Sequence, residues 1–339
     1  MDNILNLLHN FFMTLLPSNP NGCPYLFLAP MEGVADPTFR KAIASIGGFN
    51  EAVTEFIRVP QNAHVASLAK GYDAKELGSI PLAAQVMGAN PEGIAEMGKE
   101  LEKRGAKRID LNCGCPSNTV VGKGAGSSLL KNPSSLYQIA HALVKAVDIP
   151  VTVKMRSGYE DTSLIQENLL AAEESGIAFL TLHPRTKVDG YGPPAKWEFI
   201  AYAKSILTIP VVGNGDILTA HDAHQMLKET KCDALMVGRG SVINPFIFQE
   251  IQASFEGKIY PSSWDKLSLF LDIFAAGLSL EAPLRNRASK LKQLFSFLFR
   301  KTAALLERKS LVLTQQPEDL AQFLQFAKDL LKEYGDFSL

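Results

Sequence analysis

Eight short apolar runs recur along the chain, each followed by a loop and a stretch with helical spacing. The runs cover residues 26–30, 52–55, 81–87, 108–112, 150–155, 178–183, 210–213 and 234–237. They are continuously apolar rather than alternating, as strands buried on both faces must be. Segments such as 91–103, 133–147, 163–175 and 219–229 between them place apolar residues three and four apart, so the repeating unit is strand–helix. Eight such units predict an α/β fold, a closed (β/α)8 TIM barrel. A doubly wound sheet would carry a GxGxxG turn after its first strand, and Met31-Glu32-Gly33-Val34 stands there instead.

Such a barrel takes about 250 residues, and the chain has 339. From about residue 258 the pattern changes. Ser262 is a helix cap with Asp265 three residues on, and Leu267, Phe270, Leu271, Phe274 and Leu278 follow at helical spacing. Pro283 interrupts the pattern, a second helix is expected over about 285–308, and Pro317 suits the start of a third. The organisation predicted is an N-terminal extension (1–24), a barrel (25–257) and a small C-terminal helical bundle (258–339). Apolar residues at 4, 8, 11, 12 and 15 suit an amphipathic helix that caps the fold. The apolar stretch is too short to span a bilayer, and with Arg40 the first basic residue it lacks the basic start of a signal peptide. No membrane association is expected. The four cysteines, Cys23, Cys113, Cys115 and Cys232, form no zinc-site spacing or disulfide framework, so no metal and a reducing, cytoplasmic setting are expected.

In a barrel, chemistry sits at the C-terminal ends of the strands. Pro30 and Met31 end the first run, Gln85 lies in the third, and Asn112 leads into Cys113-Gly114-Cys115-Pro116 after the fourth. Lys154 lies on the fifth, His183 and Arg185 end the sixth, Gly213-Asn214-Gly215-Asp216 the seventh, and Gly238-Arg239-Gly240 the eighth. The last two loops are where these barrels bind phosphate, since glycine lets backbone N–H groups approach the anion and Arg239 adds a fixed cation. Gln85 and Lys154 suit a flavin ring: an amide for its pyrimidine edge, and an ammonium for the charge at N1 on reduction. Lys154 also has the alternative role of a Schiff-base lysine, as in barrel aldolases. Cys115 is a thiol, mostly protonated at neutral pH, that can donate a proton. The glycine cluster at 122–126 is not a P-loop, because Ser117 stands where the motif needs glycine; a mobile loop after Cys115 is expected.

These motifs resemble the tRNA-dihydrouridine synthases. The resemblance runs through Ala29-Pro30-Met31-Glu32-Gly33-Val34-Ala35-Asp36, Asn112-Cys113-Gly114-Cys115-Pro116, Lys154-Met155-Arg156, His183-Pro184-Arg185-Thr186, Asn214-Gly215-Asp216 and Val237-Gly238-Arg239. Pro184 departs from it, where the family usually has glycine. The resemblance implies a flavin-dependent oxidoreductase with FMN, NADPH as electron donor, tRNA as substrate and no stable protein partner. Cys115 is then the general acid. Pro30, Met31, Gln85, Lys154 and His183 surround the flavin, and Asn214, Gly215, Asp216, Gly238 and Arg239 hold its phosphate end. Asn112 and Arg185 face the substrate. The stretches at 53–59 and 185–191 look most like the bacterial C-type subgroup, known for uridine 16 of the D loop.

The formal net charge is −1, so RNA binding needs a local patch. Residues 285–309 supply one, with eight cations, among them Arg285, Arg287, Lys290 and Lys292, against the single acid Glu307. A reductase of a small pyrimidine or enone would not need that run.

Overall fold

The computed structural model describes Leu16 and residues 22–62, 64–116 and 124–336. The amphipathic helix expected before residue 16 and most of the loop expected after Cys115 lie outside the described residues. Among the described residues nine strands form: β1 (Tyr25–Leu28), β2 (Glu51–Val53), β3 (Ile57–Val59), β4 (Leu82–Gly88), β5 (Ile109–Cys113), β6 (Val151–Gly158), β7 (Phe179–Thr186), β8 (Val211–Asn214) and β9 (Ala234–Val237). Every pairing is parallel. The order β2-β1-β9-β8-β7-β6-β5-β4 closes on itself through a β2–β4 pairing, which makes the eight-stranded barrel. The extra strand, β3, continues β2 after a break at residues 54–56 and pairs only with β4.

Successive residues of a strand point to opposite faces, so each barrel strand serves two cores. Leu26, Leu28, Ala84, Leu111, Val153 and Leu182 face outward into the main apolar cluster beneath the helices. Phe27, Val53, Ala83, Phe179, Val212 and Met236 form a second cluster, which Leu16 joins. The Arg108 guanidinium lies between the rings of Phe27 and Phe179, 5.4 and 5.0 Å from their centroids, and is paired with Glu51 at 2.8 Å. A charge can be buried this way because aromatic faces and a carboxylate replace its water.

Four described helices follow the barrel: Trp264–Ala276, Leu284–Leu298, Ala303–Leu313 and Leu320–Tyr334. The single helix expected over 285–308 is therefore two. Thr302 begins the second, its side chain accepting the Leu305 N–H, and satisfying that orphan donor favours a new start over continuation. The first of the four is capped by Ser263 rather than Ser262, and the last by Asp319 rather than beginning at Pro317. Helix Trp264–Ala276 lies on the first barrel helix, Pro37–Ile46, with Phe270 edge-on to Phe39 at 6.1 Å. Phe295 meets Phe299 and Phe323 edge-on in the bundle. Each fully buried ring of this kind contributes roughly 1.5–3 kcal/mol. The main apolar cluster runs unbroken from the barrel shell into all four helices.

Candidate active site

A cavity of about 690 Å³ opens at the C-terminal ends of the strands. Drug-sized ligands occupy about 300–1,000 Å³. Pro30 and Met31 line it after β1, Gln85 from β4, Asn112 from β5 and Cys115 just beyond β5. Lys154 and His183 line it from β6 and β7, Asn214, Gly215 and Asp216 from the end of β8, and Gly238 and Arg239 after β9. Sequence spacing thus brings these twelve residues to one rim.

Arg185 does not line the cavity. It is 3% exposed, and its guanidinium donates to the Pro193 carbonyl, to Asp216 at 2.5 Å and toward His183 Nε2 at 3.2 Å. Expected as a substrate contact, it is a buried brace for Asp216 and His183. Asp216 also holds Arg239 at 3.1 Å and accepts the Ala195 N–H. Asp216, expected at the phosphate end, is a carboxylate whose contacts in the structure fix Arg185 and Arg239. Gly215, at φ 121°, has its carbonyl held by Trp197 Nε1; a Cβ there would lie 3.0 Å from the His183 ring. Gly213, read from the sequence as part of the phosphate loop, is needed for packing: a Cβ would come 2.6 Å from Met226 Sδ. Pro184 sits where the β7–β8 ladder has ended and the β6–β7 register shifts, so its missing N–H breaks no pairing.

Arg185 and Arg239 share Asp216, whereas Lys154 and Arg156 form no ion pair among the described residues. Burial, then the neighbouring Arg156, lowers the Lys154 pKa to about 8, against an opposing pull from Asp110. Burial and then Lys154, Arg156, Arg185 and Arg239 hold His183 well below the ordinary histidine range, so it is neutral at pH 7. Cations that depress one another are completed by an anion, and a phosphate or a negatively charged ring fits that demand.

The two cysteines of the motif separate cleanly. Cys113 is the last residue of β5, fully buried in the outer cluster, and burial pushes its thiol pKa up. The strand ends there, the chain turns at Gly114, and Cys115 faces the cavity beside Met87, Ala125 and Phe56. Glu32 Oε2 lies 4.0 Å from Cys115 Sγ. The Cys115 carbonyl accepts the Ser127 N–H at the start of the short helical turn Gly126–Lys131. Behind the cysteine runs a chain of hydrogen bonds. Gln85 Nε2 donates to Asp110 Oδ2 (2.7 Å), Asn112 Nδ2 donates to Gln85 Oε1 (2.8 Å), and Asn112 Oδ1 accepts the N–H groups of Gly114 (3.0 Å) and Cys115 (2.9 Å).

The basic run divides. Lys290 is bound to Asp36 at 3.0 Å and to the Gly33 carbonyl, and ties the helical unit to the barrel. Lys292 donates to the Gln315 carbonyl, and the Arg287 Nε is buried. Arg285 and Arg300 are exposed. Arg300 and Phe297 reach the cavity wall from the helical unit, a placement that spacing along the chain cannot show. Two other lining residues lay in motifs without a role. Arg156 follows Lys154 by two and so shares its face, and Tyr191, 57% exposed, lies under both Arg156 and Arg239.

The sequence profile of the family described as Dihydrouridine synthase (Dus) matches residues 27–332. The chain belongs to the dihydrouridine synthase family. It is a flavin-dependent oxidoreductase by that membership. The tRNA-dihydrouridine(16) synthase of Pseudomonas syringae pv. tomato is 38% identical over 78% of this chain and 87% of its own. That of Shewanella oneidensis is 37% identical over 81% and 89%, and that of Ralstonia nicotianae 32% over 92% and 98%. Among solved structures, histamine dehydrogenase from Rhizobium sp. 4-9 is 13% identical with a TM-score of 0.51 over 74% of this chain. The 6-hydroxypseudooxynicotine amine oxidase of Pseudomonas geniculata N1 gives 0.52 over 69%, also at 13%. The chain spans about half the length of either, and the likeness is one of barrel fold.

Proposed function

We propose that the chain is a tRNA-dihydrouridine synthase that reduces the C5–C6 bond of the uridine at position 16 of tRNA, with FMN as cofactor and NADPH as electron donor. The observation that carries the reading is the placement of the Cys115 thiol on the same rim as Lys154 and Arg156, which form no ion pair among the described residues, and as Arg239, which Asp216 holds toward the cavity. When bound, the flavin supplies the hydride for C6 of the uracil. Lys154 and Gln85 would hold its ring, Pro30 and Met31 would pack against it, and His183 and Asn214 would flank it. Arg239 with the bare backbone at Gly215 and Gly238 would take the phosphate.

Cys115 keeps a proton at the cavity wall for C5 of the base, and Asn112 offers an amide to it. The base must leave its stack to arrive there. Docking angle selects which uridine arrives, because phosphate contacts fix the orientation of an RNA. Exposed Arg285 and Arg300 are cations of the basic run placed to make them. A small-pyrimidine reductase is the weaker reading, because Phe297 and Arg300 bring the helical unit into the cavity wall. A Schiff-base aldolase would leave Cys115 and Arg239 without work.

The deciding experiment maps dihydrouridine by mass spectrometry in tRNA from a strain lacking the protein. Loss at position 16 alone is expected. Loss at 17 or 20 with 16 intact would refute the position and leave the chemistry standing.

A further inference from the structure

Between Asp110 and the Cys115 loop stand two side-chain amides, Gln85 and Asn112, and an amide can point either way. The two ends of the chain decide. Asp110 is wholly buried, and its two oxygens accept from Gln85 Nε2 and Thr152 Oγ1; the N–H groups of Gly114 and Cys115 only donate, and take Asn112 Oδ1. Acceptor at one end and donors at the other leave one arrangement in which every link pairs a hydrogen with a lone pair. We infer that Asp110 is a positioning residue, which sets the polarity of the Gln85–Asn112 chain and thereby holds the Cys115 loop in place from within the barrel.

The other oxygen of Asp110 is pinned as well. Arg108 Nη1 donates to Thr152 Oγ1 at 2.5 Å, so the single hydroxyl hydrogen of Thr152 goes to Asp110 Oδ1 at 2.6 Å. Asparagine at 110 cannot meet both sides of this clamp. Turned one way, its nitrogen strands the Thr152 hydroxyl hydrogen; turned the other way, it meets Gln85 Nε2, donor against donor. That mismatch is relieved when Gln85 turns over and presents Nε2 to Asn112, and Asn112 then turns its own nitrogen to the Gly114 and Cys115 N–H groups. In this reversed arrangement both hydrogen bonds to the cysteine loop are gone. The reversed chain is whole again only if residue 112 is acceptor-only.

The test reads Cys115 directly, by its alkylation rate with iodoacetamide in the flavin-loaded protein, followed by peptide mass spectrometry. Asp110→Asn should raise that rate about tenfold, since the loop opens once its two bonds are gone. Thr152→Val, which disturbs the buried layer but leaves an acceptor facing Gln85, should stay within about twofold of the parent. The double variant D110N/N112D should also return to within about twofold, a coupling that independent effects cannot give. Single-turnover uridine reduction should fall about ten- to hundredfold in D110N. The catalytic consequence rests on Cys115 as proton donor, whereas the alkylation cycle does not, so either can fail alone. An unchanged rate in D110N, or additive effects in the double variant, overturns the inference. If D110N does not fold, D110N/N112D must fold and keep the parental rate, and its failure overturns the inference too.

Discussion

Lys154 makes the apoprotein less stable than it need be, and the cost can be measured. Its pKa is lowered from 10.5 to about 8, chiefly by burial and then by Arg156. At about 1.4 kcal/mol per pH unit the full shift corresponds to roughly 3 kcal/mol. The side chain is partly exposed to the cavity, and screening there leaves about 1–2 kcal/mol. The sign follows from proton uptake. Below about pH 8 both folded and unfolded chains hold the proton, and the folded state bears the whole penalty. Between about 8 and 10.5 the folded state releases its proton first, so stability rises with pH. Lys154→Met removes the ammonium at similar volume. At pH 6.5 the flavin-free variant should be about 1–2 kcal/mol more stable than the parent in urea titrations, and by pH 10 the advantage should shrink toward zero. Flavin should bind the variant more weakly, because the penalty exists to meet an anion. Parallel stability curves for parent and variant across that pH range would refute the reasoning.

Cys115→Ala should lower tRNA turnover about 10²–10⁴-fold while NADPH still reduces the bound flavin at nearly the parental rate in stopped flow; Cys113→Ala should leave turnover close to normal. A larger effect at Cys113 would reverse the assignment. Arg239→Ala should weaken FMN binding in fluorescence titrations by roughly 1.5–3 kcal/mol, the worth of a charged hydrogen bond. Unchanged affinity would move the phosphate elsewhere. Charge reversal at Arg285 and Arg300 should weaken tRNA binding and flatten its salt dependence without changing flavin content, whereas reversal at Lys290 should lower thermal stability through the lost Asp36 pair. Equal salt slopes for parent and variant would return the two arginines to ordinary solvated surface.

The barrel was legible because burying a strand on both faces forces a continuous apolar run, and eight such runs with their helices allow little else. The rim followed, since parallel strands carry their C-terminal residues to one end. The short strand β3 was not visible: Ile57–Val59 is too brief to show a period, and it exists only because β4 offers it an edge. Partner choice was equally hidden. Arg185, Lys290 and Lys292 read as free cations, but the fold gives each a carbonyl or carboxylate. The break at Thr302 turned on one capping hydrogen bond inside an otherwise helical pattern. Arg300 and Phe297 reach the site across a tertiary contact, about which local spacing carries no information.

The unbroken apolar cluster from the barrel shell into the helical unit makes the two parts poor candidates for independent exchange. Phe270 needs the ring of Phe39, Lys290 needs Asp36, and the cavity wall needs Phe297 and Arg300. A chimera grafting residues 258–339 from a relative would import its surface together with a mismatched seam. Exchange of the helical unit would therefore have to carry the barrel-side partners Phe39 and Asp36 with it.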